Sequence, residues 1–145
     1  MIKVYVSSVL EAPADRVWAI IRDFNALPRW TPFVVESRIE SNQSADRVGC
    51  VRNFKLKDGG VIREQLLALS DFDLQCSYSI LESPMGVQNY VATLKLTPIT
   101  DGDRCFAEWW AEFDCPPERE QALSQLIGQD VFQAAFDHLK GLVRR

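Results

Sequence analysis

The sequence contains a single histidine, His138, and its four cysteines, Cys50, Cys76, Cys105 and Cys115, include no Cys-x-x-Cys pair. Structural or catalytic zinc needs clustered thiolates or imidazoles, so no metal site is expected, and nothing in the sequence asks for another cofactor. Most of these cysteines stand inside strand-like apolar runs, which reads as buried free thiols in a reducing compartment. Positive charge is also short: 16 basic against 20 acidic side chains leave a net charge of −4. A phosphate-backbone binder draws affinity from counterion release at basic patches, so nucleic acid is not an expected partner. No apolar run approaches the ~20 residues of a membrane-spanning helix, and stable membrane insertion is not expected. Met1-Ile2-Lys3-Val4-Tyr5-Val6 has no basic segment leading into a long apolar run, so a cytoplasmic protein is expected. The serines lack a Gly-x-Ser-x-Gly elbow and a triad partner.

What is present is ordinary globular composition: 145 residues, 47% hydrophobic and 25% charged, enough for one domain over 1–145 with a core of its own. Ile2, Val4 and Val6 alternate with Lys3, Tyr5 and Ser7, a half-buried strand. Pro13 followed by Asp15 signals a helix start, and Val17, Ile20, Ile21 and Phe24 give that helix an apolar face to about residue 23. Asn25 to Trp30 is interrupted by Pro28 and allows a single further turn. Strands are expected over Val34–Glu40, Arg47–Leu56, Val61–Ser70, Leu74–Glu82, Asn89–Thr97 and Arg104–Asp114, with Lys57-Asp58-Gly59-Gly60 as a hairpin turn. Residues 118–142 form a long helix whose stripe runs through Leu123, Ile127, Val131, Ala135, Leu139 and Leu142, widened by Phe132, Phe136 and Val143. So wide a stripe needs a large concave apolar partner. An α+β fold follows: a curved six- to seven-stranded antiparallel sheet wrapped around the long C-terminal helix, with two short helices after the first strand.

Local motifs appear in a recognisable order: Ala12-Pro13-Ala14-Asp15-Arg16-Val17-Trp18, Asp23-Phe24 with Leu27-Pro28-Arg29-Trp30, Val48-Gly49-Cys50-Val51-Arg52, Asp58-Gly59, Arg63-Glu64-Gln65-Leu66, Ser77-Tyr78-Ser79-Ile80, Asn89-Tyr90, and Trp109 through Phe113. Together they resemble the START-like, or Bet v 1-like, superfamily with its helix-grip fold, and within it the bacterial polyketide cyclase/dehydrase-type branch, distantly similar to plant abscisic acid receptors. The resemblance implies a hydrophobic small molecule held between sheet and helix. It also implies that Glu64 points inward, and that Asp58-Gly59-Gly60 and Ser83-Pro84-Met85-Gly86-Val87 lie where the related receptors carry two ligand-gating loops. The gate sequence itself is not reproduced, and these glycines serve ordinary turns.

Strand parity puts Tyr90, Ala92, Leu94 and Leu96 on one face, Cys105, Ala107, Trp109, Ala111 and Phe113 on another inward face, and Leu74, Cys76, Tyr78 and Ile80 with them. Alanines interleaved with aromatics leave volume beneath the helix. The expected ligand-binding residues are Glu64, Tyr78, Tyr90, Trp109, Ala92, Ala107, Ile127, Val131, Ala135 and Trp30, with Glu64 also the candidate catalytic residue. Parity around Glu64 is ambiguous: Ile62, Glu64, Leu66 and Ala68 form one face, and Arg63, Gln65, Leu67 and Leu69 the other. Inward, the carboxylate would lose hydration and be answered by Arg52 or by a tyrosine; outward, it would pair with Arg52 or Arg63. Three functions are open. The first is a carrier or sensor for an apolar, ring-containing or lipid-like molecule. The second is a cyclase, aromatase or dehydratase using Glu64 and a tyrosine as acid and base. The third is an interaction module using the outer sheet face with Trp110 and Phe106, of which a homodimer is one form.

Overall fold

The fold comes from a computed structural model that describes residues 1–144; Arg145, counted in the expected domain, lies outside the described residues. β1 (Ile2–Leu10) is followed by α1 (Ala14–Ile21), which starts directly after Pro13 and turns Val17, Trp18, Ile20 and Ile21 inward. α2 (Leu27–Trp30) is one turn, with Pro28 at its start and Leu27 and Trp30 buried. Six strands follow: β2 (Val34–Ile39), β3 (Val51–Leu56), β4 (Val61–Ser70), β5 (Gln75–Glu82), β6 (Gln88–Ile99) and β7 (Arg104–Asp114). They form one antiparallel sheet in the order β1-β7-β6-β5-β4-β3-β2. Consecutive strands are neighbours except β1, which crosses to the far edge and pairs with β7, Ile2 opposite Phe113. This is the helix-grip arrangement expected from the sequence, with seven strands.

Three local departures have physical causes. β3 starts at Val51 and not at Arg47, because Gly49 takes a positive φ of 98° and the Cys50 N–H donates to the Arg47 carbonyl at 3.0 Å, closing residues 47–50 into a turn. β6 continues through Pro98 to Ile99; the last paired residue of β5 is Gln75, opposite Lys95, so Pro98 lies beyond that neighbour and its missing N–H breaks no ladder there. In β4 the register shifts between Leu66 and Ala68, and this bulge moves Ala68 outward and brings Leu69 against the core. The inward face of β4 is therefore Ile62, Glu64, Leu66 and Leu69.

The C-terminal rod spans 117–143 but is not one α-helix. A 3₁₀ turn (Pro117–Arg119) leads into α3 (Glu120–Gln125), then a π-helical segment (Leu126–Gln133), then α4 (Ala134–Val143). At the end of the π segment the Ala134 N–H still reaches back five residues to the Gln129 carbonyl. The wider winding shifts the apolar stripe by one position. Phe132 is buried at its centre while Val131 is only half-buried, and at the far end Val143 is buried where Leu142 is exposed.

Gly128 fixes how closely the rod approaches the sheet. A glycine inside a helix costs roughly 1 kcal/mol relative to alanine, so its presence asks for a packing reason. A Cβ built on Gly128 would lie 3.2 Å from Val4 Cγ1 and 3.9 Å from Val6 Cγ2. The rod therefore rests on β1 through a missing side chain. Gly128→Val should cost about 2 kcal/mol by overpacking, read from the urea midpoint, and Val4→Ala in the same chain should restore part of that loss. A Gly128→Val protein as stable as the parent would show that the close approach is not what holds the rod.

Candidate functional site

The space between rod and sheet is divided in two. Toward β1, β7 and α4 it is packed solid: the Trp109 ring stacks on Phe132 at 4.1 Å and 14°, meets Phe136 at 5.7 Å, and touches Trp30 at 5.5 Å. Ala92, Ala107 and Ala135 are fully buried. Toward β3, β4 and β5 a cavity of about 520 Å³ remains. Its walls are Phe33, Phe54, Leu56, Ile62, Ile80, Leu126, Ile127 and Val131; Glu64, Tyr78 and Tyr90 also border it, and Lys57, Asp58, Pro84, Met85, Arg119 and Asp130 form the remainder of the lining.

Of the residues expected here, Glu64, Tyr78, Tyr90, Ile127 and Val131 line the cavity together. Trp109, Ala92, Ala107, Ala135 and Trp30 do not. Their inward direction was legible, but the stacked indole and phenyl rings occupy the volume that the alanines leave. Phe54 and Ile62 were missed although they are detectable: they are register partners on the same inward faces as Arg52 and Glu64. Phe33, Leu126 and Asp130 carried no such signal, since the first stands outside the strands and the other two belong to the π-wound segment, whereas Asp58, Pro84 and Met85 fall in the two loop segments that the resemblance singled out.

Arg52 and Glu64 face each other directly across β3 and β4, so the pleat turns both side chains to the same side. Both are buried, at 5% and 6% exposure. Arg52 Nε donates to Glu64 Oε1 at 2.8 Å, and its NH2 lies 2.6 Å from the same oxygen. NH1 donates to the Phe24 carbonyl at 3.3 Å. Aromatic faces flank the guanidinium, Phe24 at 3.9 Å and Tyr78 at 4.7 Å from the ring centres, contacts that suit a weakly hydrated planar cation. Arg63, one residue away in β4, points to the opposite face and binds Glu40 through Nε and NH2 at 2.7 and 2.8 Å. This holds the Glu40 carboxyl down at about 2. The alternation thus sorts the arginines, with Arg52 paired inside and Arg63 outside.

Burial pushes the Glu64 carboxyl above the usual carboxylate range, and the charge and hydrogen bonds of Arg52 pull it back. Burial likewise raises the Tyr78 and Tyr90 hydroxyls, so both are neutral phenols over the physiological range. Tyr78 Oη accepts a hydrogen bond from Trp109 Nε1 at 3.1 Å, which ties the cavity wall to the packed half. At the rim, Arg119 NH1 donates to the Met85 carbonyl at 2.7 Å and lies where a side chain on Gly86 would have to go. All four cysteines are free thiols; burial pushes Cys76 and Cys105 up to about 11. Among the described residues no cluster of three or more His, Cys, Asp or Glu side chains could hold a metal ion, and no helix is long and apolar enough to cross a membrane.

Over residues 1–144 the sequence matches the family described as polyketide cyclase / dehydrase and lipid transport. The chain belongs to that family. A family so described supports a ligand-binding role in general terms. No curated relative matches the sequence. Among solved structures, a Thermobifida fusca protein is similar at 29% identity and a TM-score of 0.88, covering 100% of this chain and 97% of that one. A START superfamily protein from Mycobacterium smegmatis has 16% identity and a TM-score of 0.80, with 97% and 96% covered. A norcoclaurine synthase point mutant from Thalictrum, solved with a transition-state analogue, has 20% identity and a TM-score of 0.76, with 98% and 93% covered. At such identities the last two speak for the START/Bet v 1-like fold alone.

Removing one member of a buried pair leaves the other uncompensated. Arg52→Met should therefore cost about 3–5 kcal/mol at neutral pH, whereas Arg52→Met with Glu64→Leu should recover most of it. In the single variant the Glu64 carboxyl moves further up. Its neutral form is the one the fold tolerates, so stability is present at low pH and lost as pH rises through the raised value. Urea unfolding at pH 5 and pH 8 reads both effects; equal losses at the two pH values would contradict this account.

Proposed function

We propose that this protein holds an apolar, ring-containing or lipid-like small molecule in the cavity between β3–β5 and the C-terminal rod, as a carrier or sensor, with residues 1–145 acting as one START-like domain. The observation that carries this reading is an apolar hollow of about 520 Å³ with one charge pair buried at its wall. That volume lies in the range of small-molecule sites, about 300–1,000 Å³, and apolar walls with a few fixed polar groups are their usual composition. Ile127 and Val131 would supply contact area on the rod side, and Glu64, Tyr78 and Tyr90 the polar groups on the sheet side. Trp109, Trp30, Ala92, Ala107 and Ala135 would serve by keeping the neighbouring half rigid.

The raised Glu64 carboxyl beside neutral phenols favours a second reading, an enzyme of the cyclase or dehydratase type with Glu64 as acid or base. Glu64→Gln separates the two. Retained ligand affinity with lost turnover belongs to the enzyme; lost affinity without any turnover in the parent belongs to the carrier.

The cavity reading itself is tested with the neutral dye N-phenyl-1-naphthylamine. The parent should brighten it on binding, and Val131→Trp, which fills the hollow from a half-buried position, should abolish the signal without lowering the thermal midpoint by more than a few degrees. Equal binding by both proteins, or no binding by the parent, would defeat it. Native mass spectrometry of protein purified from its own host would then identify the occupant by mass.

A further inference from the structure

The charged groups at the cavity wall are arranged asymmetrically, and the asymmetry bears on what an occupant can be. Glu64 borders the cavity and Arg52 does not. The cation stands behind the carboxylate, with Nε and NH2 turned to Glu64 Oε1, NH1 to the Phe24 carbonyl, and rings against it on the Phe24 and Tyr78 sides. The lining cations Lys57 and Arg119 are exposed residues, so at the buried end of the cavity no cation is offered to a ligand carboxylate or phosphate. Both arginine donors fall on Oε1, and Oε2 takes neither of them. Beside it, Tyr78 accepts from Trp109 through its oxygen and is a hydrogen-bond partner of Tyr90, so the two hydroxyls together keep one proton to donate into the cavity.

Resting on the cavity reading above, we infer that this site selects a neutral molecule whose buried end carries a hydroxyl, a phenol or alcohol that donates to Glu64 Oε2 and accepts from a tyrosine. Charge accounting excludes the alternatives. The buried pair is already neutral as a unit, so a carboxylate adds an unpaired negative charge beside Glu64. An ammonium adds a positive charge, and the carboxylate that would answer it is already balanced by Arg52. Either extra charge would be desolvated without compensation. A hydroxyl adds no charge and satisfies an acceptor.

Four probes sharing one ring system test this at pH 7: 2-naphthol, 2-methylnaphthalene, 2-naphthoate and protonated 2-naphthylmethylamine. Their binding is measured by calorimetry and by chemical-shift changes at Tyr78, Tyr90 and Ile127. Hydrogen bonds to charged groups are worth enough to separate ligands by about tenfold or more. 2-Naphthol should bind at least about tenfold tighter than the other three. Glu64→Gln should lower that advantage while leaving 2-methylnaphthalene unchanged. The parent comparison needs no variant, so it decides even if Glu64→Gln folds poorly. Naphthoate or the amine matching naphthol would overturn the inference, as would a methylnaphthalene that binds equally well in the cavity; in those cases the cavity reading survives. If none of the four shifts the cavity residues, the cavity reading falls and takes this one with it.

Discussion

A buried arginine answering a buried glutamate across two neighbouring strands is the constraint around which the rest of this structure is arranged. Each ion alone would be costly to enclose, and the pair is tolerable only because its geometry is supplied from several directions. Strand register brings Arg52 and Glu64 opposite one another, the segment after α1 contributes the Phe24 ring and carbonyl, and β5 contributes Tyr78. The polar centre is thus the point where the helical segment and three strands must agree. An apolar core of similar volume could be more stable, but it would present nothing to orient an occupant.

The same logic explains why the hollow lies where it does. The rod touches down on β1, where Gly128 removes a side chain, and the stacked rings of Trp109 and Phe132 fill the adjacent space. Its other side stands off β3–β5, where Leu126, Ile127 and Val131 look across a gap at Phe54, Ile62 and Glu64. One flank of a single helical rod is core and the other is wall. The π-wound stretch lies between the two tasks, presenting Phe132 to the first and Ile127 and Val131 to the second.

Much of this was legible in the residues. Period-two alternation gave β6 and β7 their inward faces, with Trp109 in and Trp110 on the outer side, and the order of elements with its local motifs pointed to the helix-grip family. Parity failed where the backbone departs from ideal pairing: the bulge after Leu66 exchanged Ala68 for Leu69, a shift that no alternation rule registers. On the rod, a 3.6-residue period runs the stripe through Val131 with Phe132 at its margin, and the wider winding buries Phe132 and leaves Val131 half-buried. The alanine–aromatic alternation suggests a hollow beside Trp109, but the Phe132 and Phe136 rings from the opposite layer fill that space, and the hollow lies toward β3–β5 instead. Parity made Glu64 and Arg52 readable as a pair but left their direction open, because both faces of β4 carry charged and apolar residues in similar number; the inward direction of Glu64 came from the family resemblance alone.

The pairing of β1 with β7 has a consequence for the making of this chain. β1 precedes the other strands in synthesis, and its hydrogen-bonding partner is the last strand to leave the ribosome; Ile2 must wait for Phe113. At translation speeds of about 5–20 residues per second, that interval is roughly 5–20 seconds. During it β2 to β6 can zip as successive hairpins, while an alternating apolar strand stays unpaired and exposed to other nascent chains. Closure of the sheet, and with it the seating of the rod on Val4, therefore waits until β7 and the rod have been made.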